Sequence, residues 1–71
     1  MRDWLIRVRH MRGYSQADMA EKLGISEPYY SMIENGHRQK ALSLPMAVKL
    51  SEELNISMRD IIRMEVESRQ N

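Results

Sequence analysis

Few side chains in this chain of 71 residues could carry out catalysis or bind a metal ion. There is no cysteine, which excludes disulfides, thiol chemistry and cysteine-rich zinc sites. His10 and His37 have no second ligand at a metal-binding spacing in the sequence. Ser15 is followed by Asp18, a spacing typical of a helix N-cap with an acid at the third helical position. The sequence therefore predicts no catalytic residue, no metal site and no cofactor.

The most informative feature is a pair of helical patterns separated by a short turn. Ala20 is small at a position where two helices must cross closely, and Gly24 allows the positive φ of a sharp turn. Ile25 is expected to fill the gap between the two helices. Tyr30 and Ile33 are three residues apart and are expected to hold the second helix against the core. This pattern predicts two helices held rigidly near a right angle, so that the second one protrudes.

Helical periodicity extends along the whole chain, and no strand pattern is present. We predict five helices over residues 2–11, 16–23, 26–35, 43–54 and 57–67, the last three including an N-cap serine. On the fourth helix we predict a buried face made of Ala47, Val48, Leu50, Ser51 and Leu54. The expected fold is all-α, with a single domain over residues 1–67 and a frayed tail at residues 68–71.

Composition and charge are those of a soluble globular domain. Hydrophobic residues make up 42% of the chain and charged residues 30%, while the net charge is only +1. The slight excess of basic residues in the first forty positions does not by itself indicate a polyanionic partner. No apolar run approaches the length of a membrane helix, and the N-terminus lacks the apolar region of a signal peptide. We therefore expect a cytoplasmic protein with no membrane partner.

Four stretches match a known pattern: LIRVR at 5–9, GYSQADMAEKLGIS at 13–26, IENG at 33–36 and LNIS at 54–57. Together they resemble the Cro and lambda-repressor type of helix-turn-helix, the XRE-like family. The resemblance implies a compact five-helix fold of the lambda-repressor type that binds double-stranded DNA. It also implies a symmetric homodimer on a palindromic or pseudo-palindromic operator, and a transcriptional regulator, most often a repressor. A prophage or mobile element is the context that this resemblance suggests.

The resemblance also implies roles for individual residues, with helix 26–35 inserted in the major groove. Base contacts are implied for Glu27, Pro28, Tyr29 and Met32. Phosphate contacts are implied for Gln16, Ser31, Asn35, Arg38 and Lys40. A partly buried ion pair, which orients the helices, is implied for Arg9 and Glu34. Glu27 can accept a hydrogen bond from cytosine N4, whereas Pro28 and Met32 can contact a thymine methyl group. Tyr29 can reach a methyl group or a phosphate.

The last helix carries more apolar side chains than the small core requires. We therefore predict a dimer interface at Ile62, Met64 and Val66. The alternative is that Ile62 belongs to the core and that Val66 is simply exposed. No feature of the sequence indicates a small-molecule effector.

Other interpretations of the site residues remain open. Glu27 also suits the first turn of a helix as an acid near the positive end of the helix dipole. Tyr29 could be solvated, and Arg38 and Lys40 could be ordinary loop charges. Glu27 and the weak net charge favour an alternative function, a protein-interaction module such as an antitoxin or anti-repressor subunit. The loop at residues 37–43 is longer than the commoner family spacing.

Overall fold

The computed structural model describes residues 1–36 and 41–69, in which the chain forms five α-helices. In chain order they are α1 (Asp3–Met11), α2 (Gln16–Leu23), α3 (Glu27–Asn35), α4 (Leu44–Leu54) and α5 (Met58–Arg69). The predicted all-α fold of five helices is confirmed. α1 begins one residue later than predicted, because Arg2 has a non-helical backbone. α5 continues through Ser68 and Arg69, which were predicted to belong to a frayed tail, and residues 70 and 71 of that tail lie outside the described residues.

Serine side chains begin α2, α3, α4 and α5, as the sequence predicts. The hydroxyl of Ser15 accepts a hydrogen bond of 3.0 Å from the backbone N–H of Asp18. The Asp18 carboxylate in turn accepts one of 2.9 Å from the backbone N–H of Ser15, and this bond is the main reason that the pKa of Asp18 lies below its ordinary value. Equivalent hydroxyl bonds to the third helical residue are made by Ser26, Ser43 and Ser57. A cap of this kind stabilises its helix by about 1 kcal/mol.

The connection between α2 and α3 is a tight turn of three residues. Gly24 ends α2 with φ +71°, a left-handed conformation that costs a residue with a Cβ about 1–2 kcal/mol. The backbone N–H of Ile25 then donates a hydrogen bond of 3.0 Å to the carbonyl oxygen of Ala20. Because the turn is so short and closes on the last turn of α2, α3 starts in a direction set by α2.

Side chains from all five helices form one hydrophobic core. α2 packs against α3 and α4, while α5 packs against α1 and α4. The buried apolar residues are Trp4, Leu5, Met19, Ala20, Leu23, Tyr30, Ile33, Met46, Ala47, Leu50, Leu54 and Ile61. Tyr30 and Ile33 therefore hold α3 against the core, as the sequence predicts.

The buried face of α4 differs from the predicted one at three positions, because Met46 is buried, Ser51 is only half-buried and Val48 is exposed. Met46, Ala47, Leu50 and Leu54 face the core, whereas Val48 is exposed, so the predicted burial of Val48 was wrong. The four buried residues lie within roughly 100° of one another around the helix axis, and Val48 points away from that stripe. Among residues 1–36 and 41–69, no helix is long and apolar enough to cross a membrane.

Candidate nucleic-acid interface

α3 has one side in the core and one side in solvent. Tyr30, Ile33 and Glu34 are buried, whereas Glu27 and Pro28 are exposed. Tyr29 and Met32 are both large and apolar, and they keep 49% and 51% of their surface exposed. The four residues for which base contacts were predicted therefore all lie on the solvent side of α3.

The Glu34 carboxylate holds α3 to α1 and α2. It is 1% exposed and accepts hydrogen bonds from three side chains on these helices and on α3 itself. Arg9 Nε on α1 lies 2.5 Å from Glu34 Oε2, and Arg9 Nη2 lies 3.4 Å from Oε1. Gln16 Nε2 on α2 donates to Oε1 at 2.8 Å, and the Tyr30 hydroxyl donates to Oε2 at 2.6 Å. We call these four residues the Glu34 cluster.

The protonation states of the Glu34 cluster follow from its hydrogen bonds. Burial by itself raises the pKa of Glu34, but the bonds from Arg9, Tyr30 and Gln16 outweigh burial and hold that pKa below its ordinary value. The hydrogen bond to Glu34 raises the pKa of Arg9. Burial, followed by the bond to Glu34, raises the pKa of Tyr30 well above its ordinary value. At neutral pH the cluster is thus an ion pair with a neutral tyrosine donor.

A second support of α3 comes from the N-terminus, and sequence reasoning missed it. The backbone N–H of Arg2 donates to the carbonyl oxygen of Glu34 at 2.6 Å, and Arg2 Nη1 donates to that of Ile33 at 2.5 Å. Arg2 Nε also lies 2.8 Å from Glu65 Oε1 on α5. A cation at the C-terminal end of a helix suits the helix dipole. No local sequence pattern predicts these contacts, because the partners are distant in sequence.

The residues for which phosphate contacts were predicted lie on several elements. Gln16 is half-buried at the start of α2, and its amide already donates to Glu34. Ser31 is half-buried on α3, and Asn35 is exposed at the C-terminal end of that helix. Arg38 and Lys40 lie outside the described residues. In the first turn of α2, the backbone N–H of Asp18 is bonded to Ser15, whereas those of Gln16 and Ala17 have no acceptor within the helix.

α5 presents an apolar surface to solvent. Ile62 and Val66 are one turn apart and are 55% and 50% exposed. With Leu44 on α4, they line a groove of about 250 Å³ that also reaches Ile61 and Met58. We call this surface the α5 groove. Met64 is half-buried against the core and lies roughly 160° around α5 from Ile62, on the opposite flank.

Comparison with known proteins relates this chain to others both by family and by sequence identity. A family model described as helix-turn-helix matches residues 5–61, which is most of the chain. A protein of Bacillus subtilis (strain 168), named the uncharacterized HTH-type transcriptional regulator YqaF, is 39% identical over 54 residues. That alignment covers 76% of this chain and 68% of the relative. No solved structure gives a significant match.

Proposed function

The chain belongs to the XRE-type helix-turn-helix family of DNA-binding transcriptional regulators, and on that premise we propose a sequence-specific repressor that binds duplex DNA as a symmetric dimer. In this proposal α3 enters the major groove, whose width accommodates an α-helix. One observation carries it. The side of α3 with Glu27, Tyr29 and Met32 faces solvent, while the Glu34 cluster joins the other side to α1 and α2.

Base recognition is assigned to the exposed side of α3. Glu27 accepts a hydrogen bond from an exocyclic amino group such as cytosine N4. Pro28 and Met32 contact thymine methyl groups, and Tyr29 contacts a methyl group or a phosphate. A carboxylate near the DNA backbone is repelled by phosphates, so Glu27 suits the groove only if a base donates to it.

Contacts with the DNA backbone are assigned to the start of α2, to α3 and to the residues that follow α3. The start of α2 offers its N–H groups and the positive end of its dipole beside Gln16. Ser31 and Asn35 on α3 contact the adjacent strand, and Arg38 and Lys40 supply positive charge. Contacts of this kind set the position of the domain on the duplex without reading the sequence.

The dimer interface is assigned to the α5 groove. A single helix reads only a few base pairs, and two copies related by a twofold axis read half-sites about 34 Å apart on one face of the duplex. Ile62 and Val66 expose the apolar surface that such an interface buries. Since Met64 lies on the other flank of α5, we centre the interface on Ile62, Val66 and Leu44. Repression follows where the bound dimer obstructs the polymerase.

Selection from a random duplex pool, followed by fluorescence anisotropy, tests the proposed function. We expect an enriched motif with twofold symmetry, and an affinity that falls steeply as the salt concentration rises, because several phosphates are contacted. The proposal would be contradicted if neither random nor enriched duplexes bound at low salt with roughly tens of micromolar protein, a concentration within the range of non-specific dissociation constants.

A second candidate is a protein-interaction module on the same fold, such as an antitoxin or anti-repressor subunit. The exposed acid Glu27 on α3 and the net charge of +1 favour it, since neither attracts a polyanion. The same anisotropy titration separates the two candidates. Binding to duplex DNA at low salt supports the regulator, and absence of binding under the same conditions supports the interaction module.

A further inference from the structure

The exposed side of α3 lacks the side chains that read purines through pairs of hydrogen bonds. The helix sequence is EPYYSMIEN, with no arginine, lysine, histidine or glutamine in its nine residues. Arginine and lysine are the usual readers of guanine, and asparagine or glutamine of adenine. The one amide, Asn35, is the last residue of the helix. Recognition by α3 therefore has to rely on other groups at the base edges.

Apart from Glu27 in the first turn and Asn35 at the end, the large exposed side chains of α3 are apolar. Tyr29 and Met32 are three residues apart on one side of the helix, and each is about half exposed. They border a groove of about 170 Å³ that continues over Ile33 and Leu42 to Met46. An apolar surface of this kind gains stability by burial against an apolar group of a partner.

The base edges of the major groove offer one such group, the 5-methyl group of a pyrimidine. Thymine carries it in unmodified DNA, and 5-methylcytosine carries it in modified DNA. We infer that Tyr29 and Met32 read thymine methyl groups, and that these contacts provide most of the sequence discrimination by α3. This inference rests on the proposed function and specifies which chemical group that function recognises.

Replacement of thymine by uracil removes the methyl group and keeps the base pair. A duplex selected from a random pool is synthesised with uracil at single thymines of the half-site. The affinity for each uracil duplex is then compared with the affinity for the thymine duplex. Burial of one methyl group corresponds to about a fourfold change in affinity, and of one in each half-site to about a fifteenfold change. We expect that penalty at one or two positions in each half-site.

Protein variants show whether Tyr29 and Met32 cause the penalty. In Met32→Ala and Tyr29→Ala the affinity for the thymine duplex falls, and the uracil penalty shrinks to within about twofold at the position that each side chain contacts. Met11→Ala is the matched control, because Met11 is exposed on α1, outside the proposed interface. We expect Met11→Ala to keep the full uracil penalty.

The outcomes separate this inference from the proposed function. Tight binding with no uracil penalty at any position would overturn the inference and leave the proposed function intact. A penalty that persists unchanged in both alanine variants would also overturn it. A further duplex with 5-methylcytosine at each half-site cytosine tests the source of the methyl group, and a gain there larger than the uracil penalty would overturn the assignment to thymine. If no duplex binds, the proposed function fails and the inference fails with it.

Discussion

Arg2 and Glu65 form an ion pair although they are 63 residues apart in the sequence, with 2.8 Å between Arg2 Nε and Glu65 Oε1. The same carboxylate oxygen accepts a hydrogen bond of 2.9 Å from Trp4 Nε1. Arg2 also donates to the carbonyl oxygen of Ile33, near the end of α3. The N-terminal segment therefore joins α5, which carries the proposed dimer surface, to the helix that is proposed to read DNA.

Glu65→Ala should lower the free energy of unfolding by about 2–4 kcal/mol. The substitution removes the carboxylate partner of a buried guanidinium and the acceptor of the Trp4 indole N–H. Urea denaturation followed by circular dichroism measures the loss. Glu67→Ala is the control, because the Glu67 side chain is 63% exposed and lies 3.8 Å from Arg63. Its effect should stay within about 0.5 kcal/mol, and equal losses in the two variants would refute the role given to Glu65.

Acid should destabilise the protein through Glu34. Its pKa in the folded state lies below the ordinary value of 4.5, so the unfolded chain binds a proton before the folded chain does. The stability that Glu34 contributes is thus complete above pH 4.5 and is lost as the pH falls through the lower, folded pKa. Urea midpoints between neutral pH and pH about 2.5 measure this dependence.

Glu34→Gln should be less stable at neutral pH by about 3–5 kcal/mol, because Arg9 loses its buried partner. Its stability should also depend less on pH in the acid range. The Asp18 carboxyl, whose pKa is likewise lowered, titrates in the same range, so Asp18→Asn is the comparison variant. An acid dependence that is the same in Glu34→Gln and in the unsubstituted protein would contradict this assignment.

The sequence was sufficient to predict features that depend on neighbouring residues. The N-caps at Ser15 and Ser26 and the left-handed Gly24 are local, and they set the boundaries of α2 and α3. Tyr30 and Ile33 follow from helical periodicity. Local signals of this kind are strongest for the helix-turn-helix segment, and for this reason its family resemblance was visible in the sequence.

Other features depend on how distant elements pack. The contact of Arg2 with Glu65 requires α1 and α5 to be adjacent, and spacing along the chain does not encode that adjacency. Two nitrogen atoms of Arg12 donate to the carbonyl oxygen of Leu54 at the end of α4, for the same non-local reason. The exposure of Val48 depends on which stripe of α4 the other helices cover.

Ile62→Lys should convert the proposed dimer into a monomer at micromolar concentration. A lysine in the α5 groove places a charge where the proposed interface excludes water, and an unpaired buried charge costs several kcal/mol. Sedimentation equilibrium measures the assembly state. Val48→Lys is the matched control, because Val48 is an exposed apolar residue on α4 that does not line the groove. Dissociation in both variants, or in neither, would contradict the proposed interface.

Arg38→Ala should weaken binding to all duplexes alike. A phosphate contact carries no sequence information, so its loss reduces the slope of log affinity against log salt concentration by about 1 per contact and leaves the sequence preference unchanged. Anisotropy titrations over a series of salt concentrations measure both quantities. Arg63→Ala is the control, because Arg63 lies on α5 and pairs with Asp60 at 3.3 Å. An altered preference between duplexes in Arg38→Ala would instead indicate a base contact.

The central claim is that the exposed side of α3 reads base edges in the major groove. Its most direct test is the affinity of Tyr29→Ala, by anisotropy, for a selected duplex and for a shuffled duplex of the same composition. We expect the affinity for the selected duplex to fall by about 1 kcal/mol or more, roughly fivefold, with the affinity for the shuffled duplex unchanged within about twofold. An unchanged ratio between the two affinities would contradict the claim.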